Sequence, residues 1–423
     1  MNSFKLVSLL LSIFVHSATV NCDSNDPDYK ATIEELIESR GFNYEKHYIE
    51  TKDGYILGVY RLINPFVDQS SRSKLKPIVL QHGFLGVGSD FLINAPGGNA
   101  VPCNNSTDNY SLSKLNSTEN NNLGFLLGNL CYDVWISNSR GNGYSRNHTT
   151  LNPDIDGEFW KFSIDELIAY DTPAVIDYIL NQTGFSSLGW IGHSQGSMVM
   201  FGLLSERPEY SVKVKPFIAL APVFYVQHMK SFVRFAAKIP GILKLGRWVG
   251  GSFSASNLTY NIMKKVGCFS GRVELCDHTL FPFVGYDMGN TNTSRIEVYA
   301  TKFGTTSSLW NLVHFGQNIK SGNFHKFDFG EAENERRYGQ PIPPIYQLSK
   351  INSTSIAILH SKGDDLSDQE DVTQLIKDMQ VPLLRNYLVP LPSWNHYDFL
   401  VAENCFQYIN SVAIEILSTF YSI

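Results

Sequence analysis

Residue types suited to nucleophilic chemistry stand in the pentapeptide Gly192-His193-Ser194-Gln195-Gly196. A serine at the tip of a sharp strand-to-helix turn has strained backbone angles, and a Cβ two positions away would collide with the neighbouring strand or helix. Glycine at both positions removes that collision. The apolar runs on either side predict a buried strand before the serine and a packed helix after it. The hydroxyl is therefore expected above a helix N-terminus, where backbone N–H groups can stabilise an oxyanion.

A serine hydroxyl becomes a good nucleophile only when a base takes its proton and a third group fixes the tautomer of that base. Asp364 follows one strand-like segment late in the chain, and His396 follows the next one. Serine, acid, histidine is the chain order of an α/β-hydrolase. The sequence predicts Ser194 as nucleophile, Asp364 as acid and His396 as base. Asp365 is a competing acid, and both aspartates could instead be turn formers.

Oxyanion donors are expected from the N–H after the nucleophile and from a loop that follows an early strand. Gln195 supplies the first N–H, and Phe84 supplies the second because it lies in a Gly-rich turn after the strand at 78–80. The alternative is that the glycines only allow the chain to turn sharply at the end of the strand. No His-x-x-x-His or Cys-x-x-Cys pair occurs in the sequence, so metal catalysis and a cofactor are not expected. Four other histidines do not follow the serine and the acid in the chain and are therefore expected to be structural: His82, His148, His193 and His360.

Strand-like and helix-like segments alternate from about residue 48, which predicts an α/β fold with a mostly parallel sheet flanked by helices. A hairpin is expected over 48–62. Residues 23–222 and 287–423 are interpreted as two parts of one sheet domain. Residues 223–286, which are helical, aromatic and basic in patches, are interpreted as an inserted cap or lid over the serine. The alternative is a helical subdomain without a mobile role. Residues 87–122, rich in Asn, Ser and Gly, are predicted to form a glycosylated surface loop.

The first 22 residues have the pattern of a secretory signal peptide, with Lys5 before an apolar stretch and small or polar residues after it. That stretch is too short to span a bilayer comfortably, and no later run is long enough, so no transmembrane anchor is expected. A net charge of −6 gives no electrostatic basis for binding nucleic acid.

Cysteines and glycosylation sequons agree with an oxidising compartment. Cys268 and Cys276 are the preferred disulfide pair because they close a short loop, while Cys103 with Cys131 is possible and Cys405 resembles a buried helix thiol. The alternative for each is an unpaired buried thiol. Candidate glycosylation sites are Asn105, Asn109, Asn116, Asn147, Asn181, Asn257, Asn292 and Asn352.

Taken together, these motifs resemble the acid lipase family, which includes gastric and lysosomal acid lipases. The resemblance runs from about residue 43 to residue 416. The matching segments are Gln81-His82-Gly83, Tyr132-Asp133-Val134-Trp135, Asn138-Ser139-Arg140-Gly141-Asn142, Glu158-Phe159-Trp160, Phe162-Ser163, Gly192-His193-Ser194-Gln195-Gly196, Asn292-Thr293-Ser294-Arg295, Lys320-Ser321-Gly322, and Asn395-His396 with Asp398-Phe399.

The resemblance implies an α/β-hydrolase core with a cap over the site and hydrolysis of neutral-lipid esters such as triacylglycerols or cholesteryl esters. It implies the triad Ser194, Asp364 and His396, with Phe84 and Gln195 as oxyanion donors. The chain departs from the family at three places. Phe84 stands where leucine is usual, 87–122 is longer than in familiar members, and Asp365 replaces a residue that is commonly apolar.

The leading hypothesis is a secreted or lysosomal serine ester hydrolase that acts on lipid esters at an oil–water or membrane interface. One alternative is an esterase for soluble short-chain or hormone-like esters, whose cap does not respond to an interface. Another is a non-catalytic lipid carrier that kept the fold. Because all three triad residue types are present, the sequence favours an enzyme over a carrier.

Overall fold

The computed structural model describes residues 26–103, 118–255 and 289–421. Its strands are β1 (Asn43–Glu50), β2 (Tyr55–Ile63), β3 (Pro77–Gln81), β4 (Asp133–Ser137), β5 (Asn147–His148), β6 (Leu188–His193), β7 (Val214–Leu220), β8 (Ser252–Ser254), β9 (Thr306–Ser308), β10 (Ile356–His360) and β11 (Arg385–Leu388).

The α-helices within those ranges are α1 (Ile33–Ser39), α2 (Gln69–Arg72), α3 (Leu123–Asn129), α4 (Ile164–Glu166), α5 (Thr172–Thr183), α6 (Gln195–Glu206), α7 (Phe232–Ala237), α8 (Ile242–Val249), α9 (Ile296–Lys302), α10 (Leu309–Ser321), α11 (Glu331–Tyr338), α12 (Gln369–Asp378), α13 (Asp398–Val401) and α14 (Ser411–Tyr421). None of the described helices is long and apolar enough to cross a lipid bilayer.

One large, mostly parallel sheet organises the fold. Its strand order is β1-β2-β4-β3-β6-β7-β10-β11, with β5 paired to β2. The pairs of β2 with β1, β4 and β5 are antiparallel, and every pair from β4 to β11 is parallel. This confirms the predicted α/β class and the hairpin, although β1 begins at Asn43 and is longer than the sequence indicated.

The central strands are short runs whose residues are buried on both faces. Every residue of β3, β4, β6 and β10 is buried, as expected for parallel strands that have helices on both sides. Two large apolar clusters cover the two faces of the sheet. The carboxyl ends of parallel strands meet at one edge, so the loops after β3, β6, β10 and β11 converge there.

Helices on both sides of residues 256–288 form a layer above this edge. α7 and α8 pack against α10, and β8 pairs with β9. The described part of the predicted cap region, 223–255, contains the helices α7 and α8 and the strand β8. The remainder of that region lies outside the described residues.

The prediction of a surface loop over 87–122 is wrong for its first part. Phe91, Leu92 and Ile93 are fully or almost fully buried and belong to the core on one face of the sheet. The asparagines that suggested a solvated loop make internal bonds, because the amide of Asn122 donates to the carbonyl oxygen of Ala95 at 2.8 Å. Residues 104–117 lie outside the described residues.

Candidate active site

Ser194 lies at the turn between β6 and α6, with φ 55° and ψ −120°. An ideal Cβ on Gly192 would lie 2.4 Å from the carbonyl oxygen of Gly196, and a Cβ on Gly196 would lie 2.3 Å from that of Gln81. Both distances are far shorter than a real Cβ contact. Glycine is therefore required on each side because the strand, the helix and the neighbouring β3 approach so closely, as the sequence predicted.

The first turn of α6 is held by hydrogen bonds to the backbone of Ser194. The carbonyl oxygen of Ser194 accepts hydrogen bonds from the backbone N–H of Ser197 at 2.9 Å and from the hydroxyl of Ser197 at 2.6 Å. The hydroxyl of Ser197 also accepts from the N–H of Val223 at 3.1 Å. These bonds fix the serine at the helix N-terminus, where the first backbone N–H groups have no acceptor within the helix.

His396 and Asp364 are joined by buried hydrogen bonds. Nδ1 of His396 lies 2.8 Å and 3.0 Å from the two carboxylate oxygens of Asp364, and both side chains are almost fully buried. Burial alone raises the pKa of Asp364, but His396 and the N–H groups of Ser367 and Leu366 outweigh it, so the pKa is lowered below its ordinary value. The carboxylate therefore stays ionised and holds the Nδ1–H tautomer of His396.

Asp365, the competing acid, lies elsewhere. Its carboxylate is 3.6 Å from the ammonium group of Lys230, and its carbonyl oxygen accepts from the N–H of Lys230 at 2.6 Å. The acid loop reaches His396 because Gly363 has no side chain. A Cβ at Gly363 would lie 2.6 Å from the carbonyl oxygen of Pro392, in the loop that carries the histidine.

Nε2 of His396 is buried and has no hydrogen-bond partner among the described residues. Because Nδ1 donates to Asp364, Nε2 is the nitrogen left to accept a proton. His396 and Ser194 line the same cavity. The residue next to the serine also contacts the histidine directly, since Nε2 of His193 donates to the carbonyl oxygen of His396 at 2.9 Å.

Two further histidines support the site rather than acting as its base. Burial lowers the pKa of His193 to about 3 and that of His82 to about 4, so both rings are neutral. Nε2 of His82 accepts from the N–H of Ser139 at 3.1 Å, so Nδ1 donates to the carbonyl oxygen of Gly83 at 2.7 Å. His82 thereby holds the first residue of the loop that contains Phe84.

The loop after β3 lies directly against the serine. A Cβ on Gly83 would lie 2.9 Å from Cβ and 3.3 Å from Oγ of Ser194. The loop is a tight turn closed by a bond from the N–H of Gly86 to the carbonyl oxygen of Gly83 at 3.1 Å. Phe84 lies within this turn, and its ring packs 5.3 Å from the ring of Phe315 on α10. The predicted donor loop and the nucleophile are thus adjacent.

The side chain of Gln195 makes a contact that the sequence did not indicate. Its amide nitrogen donates to the side-chain oxygen of Asn311 on α10 at 2.7 Å, and the amide of Asn311 donates to the hydroxyl of Ser307 at 3.1 Å. Both amides are buried. The residue whose N–H was predicted as an oxyanion donor is therefore tied to the helical layer above the sheet. No local signal marks a pairing between residues 116 positions apart.

A cavity of about 710 Å³ opens above Ser194 and His396. Its walls are mostly apolar and come from the loop after β3, from α7 and α8, and from α10. Examples are Phe84, Val233, Leu243, Val249 and Val313. The volume lies within the range of roughly 300–1,000 Å³ that is typical of ligand pockets. Such a cavity accepts an apolar group and presents it to the serine.

Asp90 is an unusual member of the cavity wall. Its Oδ2 accepts from the N–H of Val87 at 3.1 Å, whereas its buried Oδ1 has no partner among the described residues. Burial raises the pKa of Asp90 to about 8, although the Val87 hydrogen bond and the charge of Lys302 act in the opposite direction. The group is therefore a neutral acid at and below neutral pH. Across the described ranges, no cluster of three or more His, Cys, Asp or Glu side chains could hold a metal ion.

Among the described cysteines, Cys103 and Cys131 form a disulfide, and Cys405 is buried and free. The preferred pair, Cys268 and Cys276, lies outside the described residues. So do four sequon asparagines: Asn105, Asn109, Asn116 and Asn257.

The described sequon asparagines differ in exposure. Asn147, Asn181 and Asn352 are exposed. Asn292 is buried, and its amide nitrogen donates to the carbonyl oxygen of Asn94 at 2.8 Å. A glycan at Asn292 would have to displace this bond, so we do not propose one there.

Comparison with known families gives two matches. The family described as the partial α/β-hydrolase lipase region matches residues 33–95, and the family described as the α/β-hydrolase fold matches residues 76–248. The second match contains β3, β6 and the serine turn. Both matches agree with the sheet and the turn described above.

Curated relatives align over nearly the whole chain. Gastric triacylglycerol lipase of Bos taurus is 33% identical over 93% of this chain and 93% of its own length. Lipase member K of Homo sapiens is 32% identical over 91% of this chain and 90% of its own length. Lipase lipl-5 of Caenorhabditis elegans is 33% identical over 88% of this chain and 89% of its own length. A solved chain from Sulfolobus solfataricus shares the fold, with a TM-score of 0.52 at 13% identity over 89% of this chain and 99% of its own.

Proposed function

Since the chain belongs to the acid lipase family of α/β-hydrolases, we propose that it is a serine hydrolase that cleaves neutral-lipid esters, triacylglycerols or cholesteryl esters. One observation carries the proposal. The buried His396–Asp364 pair leaves Nε2 of the histidine without a partner among the described residues, at the wall of an apolar cavity that Ser194 also lines. A base held in this way is suited to take the proton of a serine hydroxyl.

In the first half of the proposed reaction, Oγ of Ser194 attacks the ester carbonyl carbon and its proton passes to Nε2 of His396. Asp364 stabilises the imidazolium that forms, because it already accepts from Nδ1. The negative charge moves to the former carbonyl oxygen. The N–H groups of Gln195 and Phe84 are the proposed donors to that oxygen, and one such donor contributes roughly 3 kcal/mol to transition-state stabilisation.

Collapse of this intermediate breaks the bond to the alcohol oxygen, which takes the proton from His396 and leaves as a diacylglycerol or a sterol. The acyl group remains on Ser194. A water molecule then gives a proton to His396 and attacks the acyl carbon. Release of the fatty acid returns the proton to Oγ of Ser194.

The apolar cavity supports a lipid rather than a small polar ester as substrate. Its wall is built from aliphatic and aromatic side chains of the loop after β3 and of the helical layer. An acyl chain is the part of a neutral lipid that fits such a wall, because burial of apolar surface supplies about 25 cal/mol per Å².

A location outside the cell or in the lysosome is part of this proposal. It rests on the signal-like first 22 residues, the density of sequons and the disulfide between Cys103 and Cys131. Exposed Asn147, Asn181 and Asn352 are the proposed glycosylated positions among the described residues.

The test is release of fatty acid from emulsified triolein by the wild type and by Ser194→Ala. We expect the variant to be slower by at least about 10⁴-fold, because the covalent route is lost. Labelling by a fluorophosphonate should occur in the wild type and be absent in the variant. Equal rates for the two proteins would contradict the proposal.

A second measurement separates a lipase from an esterase for soluble esters. The rate on a short-chain ester is followed while its concentration passes the solubility limit. A lipase should show a rise when droplets form, because its cap then meets an interface. A rate that does not rise would support the soluble-ester alternative instead.

A further inference from the structure

The loop after β3 contains a strained backbone conformation at Leu85. This residue has φ 59°, in the left-handed region that a leucine rarely adopts. It is the third residue of the turn that begins at Gly83 and ends at Gly86, where the N–H of Gly86 donates to the carbonyl oxygen of Gly83. A positive φ at the third position of such a turn ordinarily belongs to glycine or asparagine. The conformation therefore costs free energy and persists where the surrounding structure enforces it.

Thr305, which lies 220 positions further along the chain, enforces this conformation. Its backbone N–H donates to the carbonyl oxygen of Leu85 at 2.9 Å. Its hydroxyl oxygen lies 3.0 Å from the same carbonyl oxygen and 3.1 Å from that of Gly86. Because a hydroxyl has one proton, the two carbonyl oxygens share it, while the N–H remains bound to Leu85. One threonine thus holds the two carbonyl groups that follow the strained φ angle.

Thr305 is itself held by its neighbours in the chain. It comes directly before β9, which pairs with β8. The carbonyl oxygen of Gly304, the residue before it, accepts from the N–H of Ala255 at 2.9 Å. The ring of Phe303 lies 4.7 Å from the ring of Tyr397, which follows the proposed base His396. Residues 303–305 therefore contact both the loop of the proposed base and the loop of the proposed oxyanion donor.

The N–H of Phe84, one residue before Leu85, is the second proposed oxyanion donor. Because peptide units are planar, the direction of this N–H depends on the dihedral angles of the turn. The turn lies directly against the nucleophile, since a Cβ on Gly83 would lie 2.9 Å from the Cβ of Ser194. A donor is effective only when it lies about 2.7–3.1 Å from the position of the oxyanion. A change of φ at Leu85 would therefore move the donor out of range.

We propose that Thr305 is a positioning residue for the oxyanion hole. Its hydroxyl keeps the turn at Leu85 in the strained conformation, and the turn directs the N–H of Phe84 at the oxygen that becomes negative when Ser194 attacks. Thr305 acts through the turn and not by contact with the substrate. This inference rests on the proposed function, because it requires that Ser194 attacks an ester.

The experiment compares the full-length wild type with Thr305→Val, which is close in shape to threonine but has no hydroxyl, on a soluble p-nitrophenyl ester. We expect kcat to fall by about tenfold with KM nearly unchanged, because the lost interaction acts in the transition state. The rate of fluorophosphonate labelling should fall in parallel, since the phosphonyl oxygen occupies the position of the oxyanion. Thr305→Ala should show the same loss. Thr305→Ser keeps the hydroxyl and should restore both rates.

Thr301→Val is the matched control. The hydroxyl of Thr301 is also half-buried and donates to the carbonyl oxygen of Val298 at 2.8 Å, within α9 and away from the turn. Its melting temperature should fall about as much as that of Thr305→Val, while its kcat should stay normal.

Three results would overturn the inference: an unchanged kcat in Thr305→Val, an equal loss of kcat in Thr305→Val and Thr301→Val, or a loss that Thr305→Ser does not restore. Failure of the proposed function has a different signature. In that case the wild type itself would neither hydrolyse triolein nor be labelled by the fluorophosphonate, and the role of Thr305 would be refuted with it.

Discussion

Asp364 and Asp365 are neighbours in sequence, and their surroundings predict opposite effects of the same substitution. Asp364→Asn removes the acceptor that holds Nδ1–H of His396. The amide favours the wrong tautomer, so we expect kcat to fall by about 10⁴-fold while the fold is kept. Asp365→Asn weakens only a partly exposed pair with Lys230, and a change within about threefold is expected.

The measurement for this pair is kcat on a soluble p-nitrophenyl ester together with the rate of fluorophosphonate labelling. Circular dichroism of both variants serves as the control for folding. A large loss of activity in Asp365→Asn, with activity retained in Asp364→Asn, would show that Asp365 is the catalytic acid and would contradict the proposed mechanism.

At the residue scale, the sequence was informative wherever function depends on local turn geometry. The need for glycine at positions 192 and 196 was predicted from their spacing around Ser194 alone, because the steric clash that glycine avoids involves residues only a few positions apart. Asn292 shows the opposite case. Its sequon is a local pattern, but the burial of its amide against Asn94 depends on a contact with a distant segment.

At the element scale, the link between α6 and α10 gives a further prediction. Asn311→Leu leaves the buried amide of Gln195 without its acceptor, which costs about 1–3 kcal/mol of stability. Because Gln195 carries a proposed oxyanion donor, we expect kcat on a soluble ester to fall by about tenfold with KM nearly unchanged.

Asn318→Leu is the matched control for Asn311→Leu. Asn318 is equally buried on α10, but its side chain accepts from the N–H of His325 and does not contact Gln195. A similar loss of stability with normal kcat is expected there. If both variants lost kcat equally, Asn311 would have a structural role only.

The elements themselves were largely predictable. The buried runs that became β3, β6 and β10 are continuous apolar segments, and such segments indicate parallel strands without any knowledge of the fold. Residues 87–95 were included in the predicted surface loop because Asn, Ser and Gly are frequent over 87–122 as a whole. Their burial depends on amide bonds such as that from Asn122 to Ala95, and composition cannot reveal which asparagines find partners.

At the scale of the whole molecule, long-range contacts decide what the sequence leaves open. The disulfide between Cys103 and Cys131 joins the segment before residue 104 to the end of the loop before β4. Arg295 ties the N-terminal segment to the region after residue 289 through ion pairs with Asp26 and Asp28. Such pairings depend on the final packing of distant elements, so spacing along the chain left several choices for each cysteine and each charge.

The stability of the whole molecule should depend on the ionisation of Asp90. Its folded-state pKa is raised to about 8, whereas an unfolded aspartic acid titrates near 4. Between these values the folded state holds one more proton than the unfolded state, so this group lowers the free energy of unfolding as pH rises from about 4 to about 8. Below that window the group has no such effect.

Asp90→Asn keeps the acceptor for the N–H of Val87 and cannot ionise. We therefore expect its melting temperature, relative to that of the wild type, to increase steadily between pH 5 and pH 7.5. Asp154→Asn, at an exposed carboxylate, is the control and should give a constant difference. The window ends below pH 8 because Asp90 itself ionises in the folded protein near that pH, above which the folded and unfolded states hold the same number of protons at this group. A difference between Asp90→Asn and wild type that stays constant across the window would mean that Asp90 is already ionised in the folded protein.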